Sequence, residues 1–484
     1  MYEKSQILNI LWYQNGSGQM NEITLTLDRD DRRTLTEQLY AFLKAEIMQG
    51  NLAKNEKVPS KRKLSSHLKC SINTIQGAYN QLVDEGYLVA KEKSGYFVAE
   101  LDGILDLAAI PKKVVEDTPL SKGYRYDFSY HGVDLEQFPF RIWRRITREV
   151  INEDDKDLLV LGNPKGLLPL RSSIARYLHQ SRGVVCSPHQ IIVSSGTEFL
   201  LQLLIQLLDP STIYAIENPG YEKLNLLFKR NRVNFKSLPL DEQGLRPERL
   251  EQEMVDVVCV TPSHQFPTGC IMPVKRRLQL LAWASEQAGR YIVEDDYDSE
   301  FRYSGKPIPS LQGMDQAGRV IYLGAFSKSL SPSLRISYMV LPEKLIDSFD
   351  DTLSFYNCPV PTIAQKTLKE FMDKGHFERH LNRMRNLYGQ KREALVTAIQ
   401  RHLPFAEIEG ASAGLHVTVR INNGMDEKAL VASAESQQIK VYGLSRYYSE
   451  CLQGGDDGRL LLGFATMKIE NMEDAVALLA KGWC

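Results

Sequence analysis

The stretch that decides the fold is Gly324-Ala-Phe-Ser-Lys328-Ser-Leu-Ser-Pro-Ser-Leu-Arg335, which continues the apolar run Val320–Gly324. Such a run predicts a buried strand, so the lysine behind it loses hydration that a charged amine needs. Desolvation lowers the pKa of a lysine and makes it a nucleophile toward aldehydes. The spacing therefore indicates a Schiff base between Lys328 and an aldehyde cofactor, with Arg335 as a ligand for the cofactor's phosphate.

From about Tyr126 onward, apolar runs alternate with longer helical patterns. This alternation predicts a mostly parallel sheet with helices on both faces. Ligands in such folds bind beyond the carboxyl ends of the strands, which is where the polar residues of this region stand. The predicted strands are Ile191–Val193, Thr212–Ile216, Val255–Val260, Tyr291–Glu294, Val320–Leu323 and Ile336–Val340.

Polar segments follow three of these strands, ahead of Lys328 in the chain. Ser194-Ser-Gly-Thr197 opens an apolar helix, and a helix N-terminus with small residues favours a phosphate. Tyr221 could stack on a flat ring or simply pack against its neighbours. In Glu294-Asp-Asp-Tyr297 a buried carboxylate needs a cation, which a protonated pyridine nitrogen would supply, and the tyrosine could donate to a ring phenolate. Each segment alone also fits an ordinary polar strand end, whereas their order indicates a cofactor site.

Size and composition are those of an ordinary globular protein: 484 residues, 43% hydrophobic and 25% charged. The net charge of -1 means that any DNA contact must come from a local basic patch. Seven scattered cysteines argue for a reducing cytoplasm and against disulfides or a zinc site, so we expect no metal. No apolar run approaches the roughly 20 residues of a spanning helix, and we expect a cytoplasmic protein without a membrane partner.

The N-terminal region predicts three helices followed by a hairpin. Thr34-Leu-Thr-Glu37 has the form of a capping box, Ser60 and Ser71 are predicted N-caps of the next two helices, and a hairpin follows at Tyr87–Ala99. This order predicts a winged helix-turn-helix, whose third helix can enter a major groove. The predicted core face of the third helix is Ile72, Ile75, Ala78, Tyr79 and Leu82.

Residues with outward positions in this region could contact DNA. Polar side chains on the third helix suit base edges, and a basic cluster at the start of the second helix suits phosphates. A helical cap domain with solvated lysines would show the same pattern. The residues concerned are Asn73, Thr74, Gln76 and Asn80 on the third helix, Lys61, Arg62 and Lys63 on the second, and Lys91 and Lys93 in the wing.

Two segments of this region resemble the GntR family of bacterial regulators. They are Val58-Pro-Ser-Lys-Arg-Lys-Leu64 and Thr74-Ile-Gln-Gly-Ala-Tyr-Asn-Gln-Leu-Val-Asp-Glu-Gly-Tyr-Leu88. The resemblance implies binding to double-stranded DNA. It implies contacts from Ser60, Lys61, Arg62, Asn73, Thr74 and Gln76. Where the family usually continues the turn with Ser-Arg, this chain has Ser71 followed by Ile72, so one customary contact is missing.

The remaining motifs resemble fold-type I, class I aminotransferases, which bind pyridoxal 5′-phosphate. The order of the two parts, with the DNA-binding part first and the aminotransferase-like part second, is similar to that in the MocR and GabR branch of GntR regulators. The resemblance implies that Lys328 forms the Schiff base, Asp295 pairs with the pyridine nitrogen and Tyr297 with the phenolate. It further implies Gly196, Thr197, Ser327 and Arg335 around the phosphate, Tyr221 over the ring, and Arg446 on an effector's carboxylate.

Some positions depart from the aminotransferase pattern. Phe266, or Gln265 in a shifted register, replaces the asparagine of Asn-Pro-Thr-Gly. Ala325 stands where a serine or threonine is frequent, and Leu161 where a tyrosine often reaches the neighbouring subunit's phosphate. His264, in the same segment as Phe266, is expected to form loop hydrogen bonds rather than to act as a base. These losses of polar contacts favour a site that binds cofactor and amine without being tuned for turnover.

The resemblance therefore predicts a pyridoxal-phosphate-dependent transcription regulator. It would sense a small amine or amino acid by aldimine exchange at Lys328, and it would work as a domain-swapped homodimer. The alternative is an active class I aminotransferase with an accessory DNA-binding domain, and residual half-transamination stays open. A third interpretation is a DNA-binding protein whose second part is only a dimer scaffold. Neither the effector nor the operator can be identified from the residues. Lys223 is a second cation that could select the length of the effector.

The predicted architecture is multidomain α/β: a winged helix-turn-helix, then a fold-type I domain with a smaller C-terminal α+β part. Translation could start at Met1 or at Met20. The predicted boundaries are an N-terminal extension at 1–22, a DNA-binding domain at 23–100, a linker at 101–122 and an effector domain at 123–484, whose small subdomain spans about 350–484.

Overall fold

The computed structural model describes residues 9–14, 20–25, 27–29, 31, 33–100, 123–151, 156–303, 308–449 and 458–483. The chain divides into two compact units, residues 1–120 and residues 121–484. The predicted linker at 101–122 lies outside the described residues.

The first unit starts with a hairpin that the sequence did not predict. Strands β1 (Asn9–Gln14) and β2 (Met20–Leu25) pair antiparallel, with Asn9 opposite Leu25. The stretch is rich in β-branched and aromatic residues, which favour strands. Neither strand shows a clear alternation of apolar and polar residues, so the search for a period of two did not reveal the hairpin.

Three helices and a second hairpin follow, as predicted for a winged helix-turn-helix. The elements are α1 (Leu35–Met48), α2 (Lys61–Leu68), α3 (Ile72–Asp84), β3 (Leu88–Lys91) and β4 (Gly95–Val98). The caps have the predicted chemistry, since Thr34 and Glu37 form a capping box on α1. Ser60 accepts from the Lys63 N–H and Ser71 from the Thr74 N–H, so each helix begins where a side chain satisfies its free donors.

The three helices bury one apolar cluster. On α3 the inward residues are Ile75, Ala78, Tyr79 and Leu82. The prediction for Ile72 was wrong, because 48% of this residue is exposed. Ile72 is the first residue of α3 and follows the exposed cap Ser71, so it lies at the solvent end of the helix.

The second unit contains the predicted sheet. Its first elements are β5 (Tyr126–Asp127), α4 (Phe140–Val150) and α5 (Leu168–Arg182). The sheet itself has eight strands in the order β6-β13-β12-β11-β10-β7-β8-β9. They are β6 (Ile191–Ser194), β7 (Ile213–Asn218), β8 (Asn234–Asp241), β9 (Gly244–Leu245), β10 (Val257–Val260), β11 (Tyr291–Asp296), β12 (Val320–Ala325) and β13 (Ser337–Val340).

Most of the central strands run parallel, while β13 is antiparallel to both of its neighbours. All six predicted strands are present. Strand β8 was missed because it lies toward the edge of the sheet, where polar and partly exposed residues interrupt the apolar run. The parallel register brings the carboxyl ends of β7, β10, β11 and β12 to one edge.

Helices cover both faces of this sheet. Tyr291 and Val293 of β11 pack in one apolar cluster, whereas Ile292 between them packs in another. This alternation places the sheet between two helical layers, as predicted. The helices between the strands and directly after the sheet are α6 (Thr197–Leu207), α7 (Glu222–Asn231), α8 (Pro247–Gln252), α9 (Val274–Glu286), α10 (Glu343–Thr352) and α11 (Thr362–Asp373).

The C-terminal part has its own core and a four-stranded sheet in the order β14-β15-β18-β17. Short strand β16 pairs instead with β5 from the start of the unit. The elements are α12 (His376–His402), β14 (Ala406–Glu409), β15 (His416–Ile421), α13 (Glu427–Ser436), β16 (Ile439–Lys440), β17 (Tyr442–Gly443), β18 (Arg459–Gly463) and α14 (Ile469–Trp483). None of the helices described has both the length and the apolar character that crossing a membrane requires.

A buried ion pair joins α5 to β11. Arg182 donates to Asp296 at 2.8 Å, and the side chains are 6% and 1% exposed. The same guanidinium donates to the Ser263 hydroxyl and to the Ile308 carbonyl, and Tyr322 donates to Asp296. These bonds compensate the charges of the pair through Asp296 Oδ2, while Oδ1 is buried without a partner among the described residues, and they hold the carboxyl end of β11 in place.

Replacing Asp296 by asparagine is expected to lower the free energy of unfolding of this unit by about 3–5 kcal/mol, because it leaves a buried guanidinium without its counter-charge. Urea unfolding followed by tryptophan fluorescence measures the change. Glu149→Gln is the matched control, since Glu149 pairs with Lys374 at the surface, where the side chains are 50% and 43% exposed, and the substitution should cost less than about 1 kcal/mol. Equal losses in the two variants would contradict a structural role for the buried pair.

Candidate functional site

The predicted cofactor residues line one cavity of about 360 Å³ at the carboxyl edge of the large sheet. The loops that follow β6, β7, β10 and β12 supply its walls, together with the end of β11. All eight predicted residues lie there: Gly196, Thr197, Tyr221, Asp295, Tyr297, Ser327, Lys328 and Arg335. Sequence reasoning missed Tyr130, His131, Asp298 and His416, which also line it.

Lys328 lies at the centre of this cavity. Its Nζ donates to the carbonyl oxygens of Tyr130, at 2.6 Å, and His131, at 3.2 Å. Burial lowers the pKa of Lys328 to about 8, and the negative charge of Asp298 opposes that shift. Two neutral acceptors thus hold an amine that can lose its proton near neutral pH, as a nucleophile toward an aldehyde must.

One end of the cavity has the features of a phosphate site. Gly196 precedes α6 with a φ of 98° and provides no side-chain cap, so the first N–H groups of the helix remain available. A Cβ atom at Gly196 would collide with the Arg335 guanidinium. Arg335 itself donates to Glu198 at 3.1 Å and to the Ser195 carbonyl at 3.3 Å.

The other end carries the carboxylate of Asp295. Among the described residues it has no hydrogen-bond or ion-pair partner. Burial, followed by the charges of Asp296 and Asp298, raises the pKa of Asp295 to about 7. A carboxylate in such surroundings is stabilised by a cation that a ligand brings with it. The ring of Tyr221 lies in the same wall, edge-on to Phe266.

These residues fit pyridoxal phosphate on chemical grounds. The glycine cradle and Arg335 would hold its phosphate, the unpartnered Asp295 would hold its protonated ring nitrogen, and Lys328 would meet its aldehyde. When bound, this cofactor supplies an aldehyde conjugated to an electron-withdrawing ring.

Two of the departures noted in the sequence lie at the cavity. Phe266 and Ala325 line it, so an aromatic ring and a methyl group stand where the aminotransferase pattern has polar groups. Leu161 does not line it and is 78% exposed.

Arg446 is not brought to this cavity. Its guanidinium donates to Glu222 at 2.9 Å, and it lines a neighbouring pocket together with Tyr221 and Glu222. Lys223, by contrast, does line the main cavity, where it lies 3.4 Å from Glu198. Tyr221 therefore lines both pockets, with Lys223 in the main cavity and Arg446 in the neighbouring pocket.

His264 is more deeply placed than the sequence indicates. The residue is 1% exposed, and its Nδ1 lies 2.9 Å from Asp298 Oδ2 and 3.1 Å from the Tyr297 hydroxyl. The expectation of a hydrogen-bonding histidine is correct, but its partners come from the segment after β11. No spacing signal in the sequence joins the two segments.

In the first unit, the predicted DNA-contacting residues lie on α2, on α3 and at their N-termini. Arg62 and Asn73 are exposed, and Arg62 has no ion-pair partner among the described residues. Lys61 instead donates to Gln76, which also donates to Asn80 and to the Tyr96 hydroxyl. Thr74 shares a hydrogen bond with Ser71, and Ser60 caps α2.

Comparisons with protein families agree with this division of the chain. Residues 132–479 match the family described as aminotransferase class I and II, and residues 35–98 match the bacterial regulatory proteins of the gntR family.

Similar proteins match over nearly the whole chain. The uncharacterized HTH-type transcriptional regulator YdeL of Bacillus subtilis is 39% identical, covering 96% of this chain and 99% of the relative. The probable rhizopine catabolism regulatory protein MocR of Rhizobium meliloti is 33% identical, covering 93% and 94%. Among solved structures, a multiple substrate aminotransferase from Thermococcus profundus has a TM-score of 0.67 and 28% identity, covering 75% of this chain and 92% of that one.

Uptake of pyridoxal phosphate is expected to depend on pH through Lys328. Because the folded pKa is lowered to about 8, the neutral amine predominates above that pH and is lost as pH falls. The uptake rate should rise about tenfold per pH unit below 8 and level off above it, whereas an ordinary lysine would continue to rise to about 10.4. Stopped-flow absorbance measures the rate.

Lys223→Gln is the matched control for this experiment, because it removes the other lysine of the cavity and leaves Lys328 in place. Its pH profile should keep the same midpoint. A wild-type midpoint near that of a free lysine would show that burial does not activate Lys328.

Proposed function

Since this chain belongs to the bacterial regulatory proteins of the gntR family that carry an aminotransferase class I and II domain, we propose that it regulates transcription in response to a small amino compound. The observation that carries the proposal is Lys328. A half-buried amine with a lowered pKa, held by two carbonyls in the same cavity as Asp295, which has no partner among the described residues, has the chemistry of a reversible amine receptor. In the same chain, the first unit is a winged helix-turn-helix.

Pyridoxal phosphate is the proposed cofactor, held by the cavity residues already named. An effector amine would take the place of the Lys328 amine. The Tyr130 and His131 carbonyls support this exchange, because they accept from Nζ and give the released lysine two partners inside the protein. The cost of freeing a buried amine is thereby reduced.

The proposed effector carries a carboxylate as well as an amine. Arg446 and Lys223 are cations close to the cavity, and each is paired with an acid, Glu222 and Glu198. An effector carboxylate would exchange for one of these acids, and a bidentate arginine pair favours Arg446. This supports an amino acid or a similar zwitterion as the ligand class.

We extend the proposal to a homodimer in which effector binding changes how the two DNA-binding units are presented. A ligand shifts such an equilibrium only by its differential affinity for the two arrangements. Phe266 and Ala325, which give up polar contacts to the cofactor, favour sensing over sustained turnover. The competing function is an aminotransferase with an accessory DNA-binding unit, since Lys328 could also move a proton during transamination.

A spectroscopic screen tests the proposal. The protein purified with pyridoxal phosphate should show the visible band of a lysine-linked cofactor, and one or a few amino acids should shift it without sustained keto-acid production. Lys328→Ala is expected to lose both the band and the effector response of DNA binding. Wild-type regulation by the Lys328→Ala variant would refute the proposed exchange, while sustained turnover with a keto-acid acceptor would favour the enzyme.

Arg62→Ala is expected to weaken binding to different DNA sequences by a similar factor and to reduce the slope of log affinity against log salt by about 1, as for one lost phosphate contact. Arg62 is exposed at the first turn of α2, where phosphates are favoured. Fluorescence anisotropy over a salt series measures both quantities.

Lys54→Ala serves as the control for this measurement, because Lys54 carries the same positive charge but lies outside α2 and α3 and pairs with Glu100. Its salt slope should stay at the wild-type value. An unchanged slope for Arg62→Ala would exclude Arg62 as a phosphate contact.

A further inference from the structure

A buried polar cluster lies behind Tyr297, in the wall of the cofactor cavity. His264 and Asp298 have side chains that are 0% and 2% exposed, and both the Asp298 carboxylate and the Tyr297 hydroxyl lie close to His264 Nδ1. Gly414 makes room for the pair. Its φ is 75°, and a Cβ atom there would collide with the imidazole and with Asp298.

The hydrogen-bond partners fix the tautomer of His264. A carboxylate can only accept, so the 2.9 Å contact with Asp298 Oδ2 places the proton on Nδ1. His264 Nε2 is buried and has no partner among the residues that the structure describes, and an unprotonated nitrogen tolerates that better than an N–H would. The neutral Nδ1–H form therefore satisfies both ring nitrogens best.

This tautomer determines what the Tyr297 hydroxyl can do. An Nδ1 atom that carries a proton cannot accept one, so Tyr297 has no acceptor in His264. The Tyr297 oxygen lies 3.1 Å from this N–H and receives it as a secondary acceptor. We propose that Asp298 and His264 are a positioning pair that directs the Tyr297 proton into the cavity, toward the phenolate oxygen of the cofactor.

His264 also competes with Tyr297 for Asp298. Burial, followed by the negative charges of Asp298 and Asp295 and by a hydrogen bond to Asp298, raises the pKa of Tyr297 well above its ordinary value, so the tyrosine and Asp298 are close. Without the imidazole, the Asp298 carboxylate would be the strongest acceptor within reach of this hydroxyl. The histidine N–H, 2.9 Å from Asp298 Oδ2, weakens the hold of that carboxylate on the tyrosine and so leaves the hydroxyl available to the ligand.

His416 completes the cluster without adding charge. Its ring centre is 4.9 Å from that of His264, and its Nε2 donates to the Pro267 carbonyl at 3.2 Å. Burial lowers the pKa of His416 well below its usual range. The residues His264, Asp298 and His416 have the types of a metal site, with potential ligand atoms within 4.8 Å of one another. The hydrogen bond from His264 Nδ1 to Asp298 explains the closest contact in this cluster, so that contact does not require a metal ion.

This inference rests on the proposed cofactor. The quantity that tests it is the pKa of the Lys328 nitrogen when that nitrogen is linked to the cofactor. Among the described residues, Asp298, His131 and His416 interact electrostatically with Lys328. The other titratable or charged groups that line the same cavity are Asp295, Tyr297, Glu198, Lys223 and Arg335. A hydrogen bond donated to the cofactor's phenolate withdraws negative charge from that oxygen. The phenolate then stabilises the proton on the Lys328-linked nitrogen less strongly. Loss of that donor should therefore raise the pKa of this nitrogen.

The experiment is a spectrophotometric pH titration of the visible band of the full-length protein loaded with pyridoxal phosphate. His264→Leu retains the Asp298 charge but frees its oxygen, so the midpoint should rise about one pH unit, a tenfold change in proton affinity. Tyr297→Phe should raise it similarly, and adding His264→Leu to Tyr297→Phe should change nothing more. His264→Asn restores an N–H donor toward Asp298 and should return the midpoint to near wild type.

His402→Leu is the matched control, because His402 is a histidine that pairs with Glu473 and does not line the cavity. Its midpoint should match the wild type. The inference is overturned if His264→Leu leaves the midpoint unchanged, if His264→Asn shifts it as much, or if the shift persists in the Tyr297→Phe background. A wild-type protein without a visible band would instead overturn the proposed cofactor, and dependence of the midpoint on added or chelated zinc would replace the positioning pair by a metal site.

Discussion

The placement of one amine in a low-dielectric cavity is the constraint on which the second unit depends. Lys328 has carbonyl partners and, among the described residues, no carboxylate within ion-pair distance, so its charge is only weakly compensated and its pKa is lowered. The acids at the same edge of the sheet have donors of their own. Asp298 is held by His264, Asp296 by Arg182, and Glu217 by Thr261 and Gln265.

The parallel sheet explains why eight predicted residues meet in one cavity. Strands that run in the same direction place their carboxyl ends at one edge, so polar segments far apart in the chain become neighbours. A strand pattern, the polar segments after the strands and the resemblance to aminotransferases were therefore enough to predict residues that line one cavity. The same logic could not find His264 with Asp298, because their contact depends on how two loops fold back beyond the strands.

Other misses have equally local causes. Strand β8 lies toward the sheet edge and carries polar residues, so it lacks the continuous apolar run of a buried strand. Ile72 follows the apolar spacing of α3 but lies at its first residue, where 48% of it remains exposed. The role of Arg446 on an effector carboxylate stays a prediction, and the sequence did not indicate that Glu222 on α7 pairs with it. Periodicity describes one element, whereas these outcomes depend on what lies next to that element.

The Arg446–Glu222 pair also limits where the switching energy can come from. Its side chains are 47% and 39% exposed, and a pair in contact with water contributes about 0–1 kcal/mol. In the proposed exchange of Glu222 for an effector carboxylate, breaking the pair therefore costs little free energy, and forming the new pair gains little. A population shift from mostly one state to mostly the other needs about 5.5 kcal/mol of differential affinity. In the proposed function, most of that difference would therefore arise at buried groups: at the exchange of Lys328, and at the proton positions that Tyr297, His264 and Asp298 would set around it.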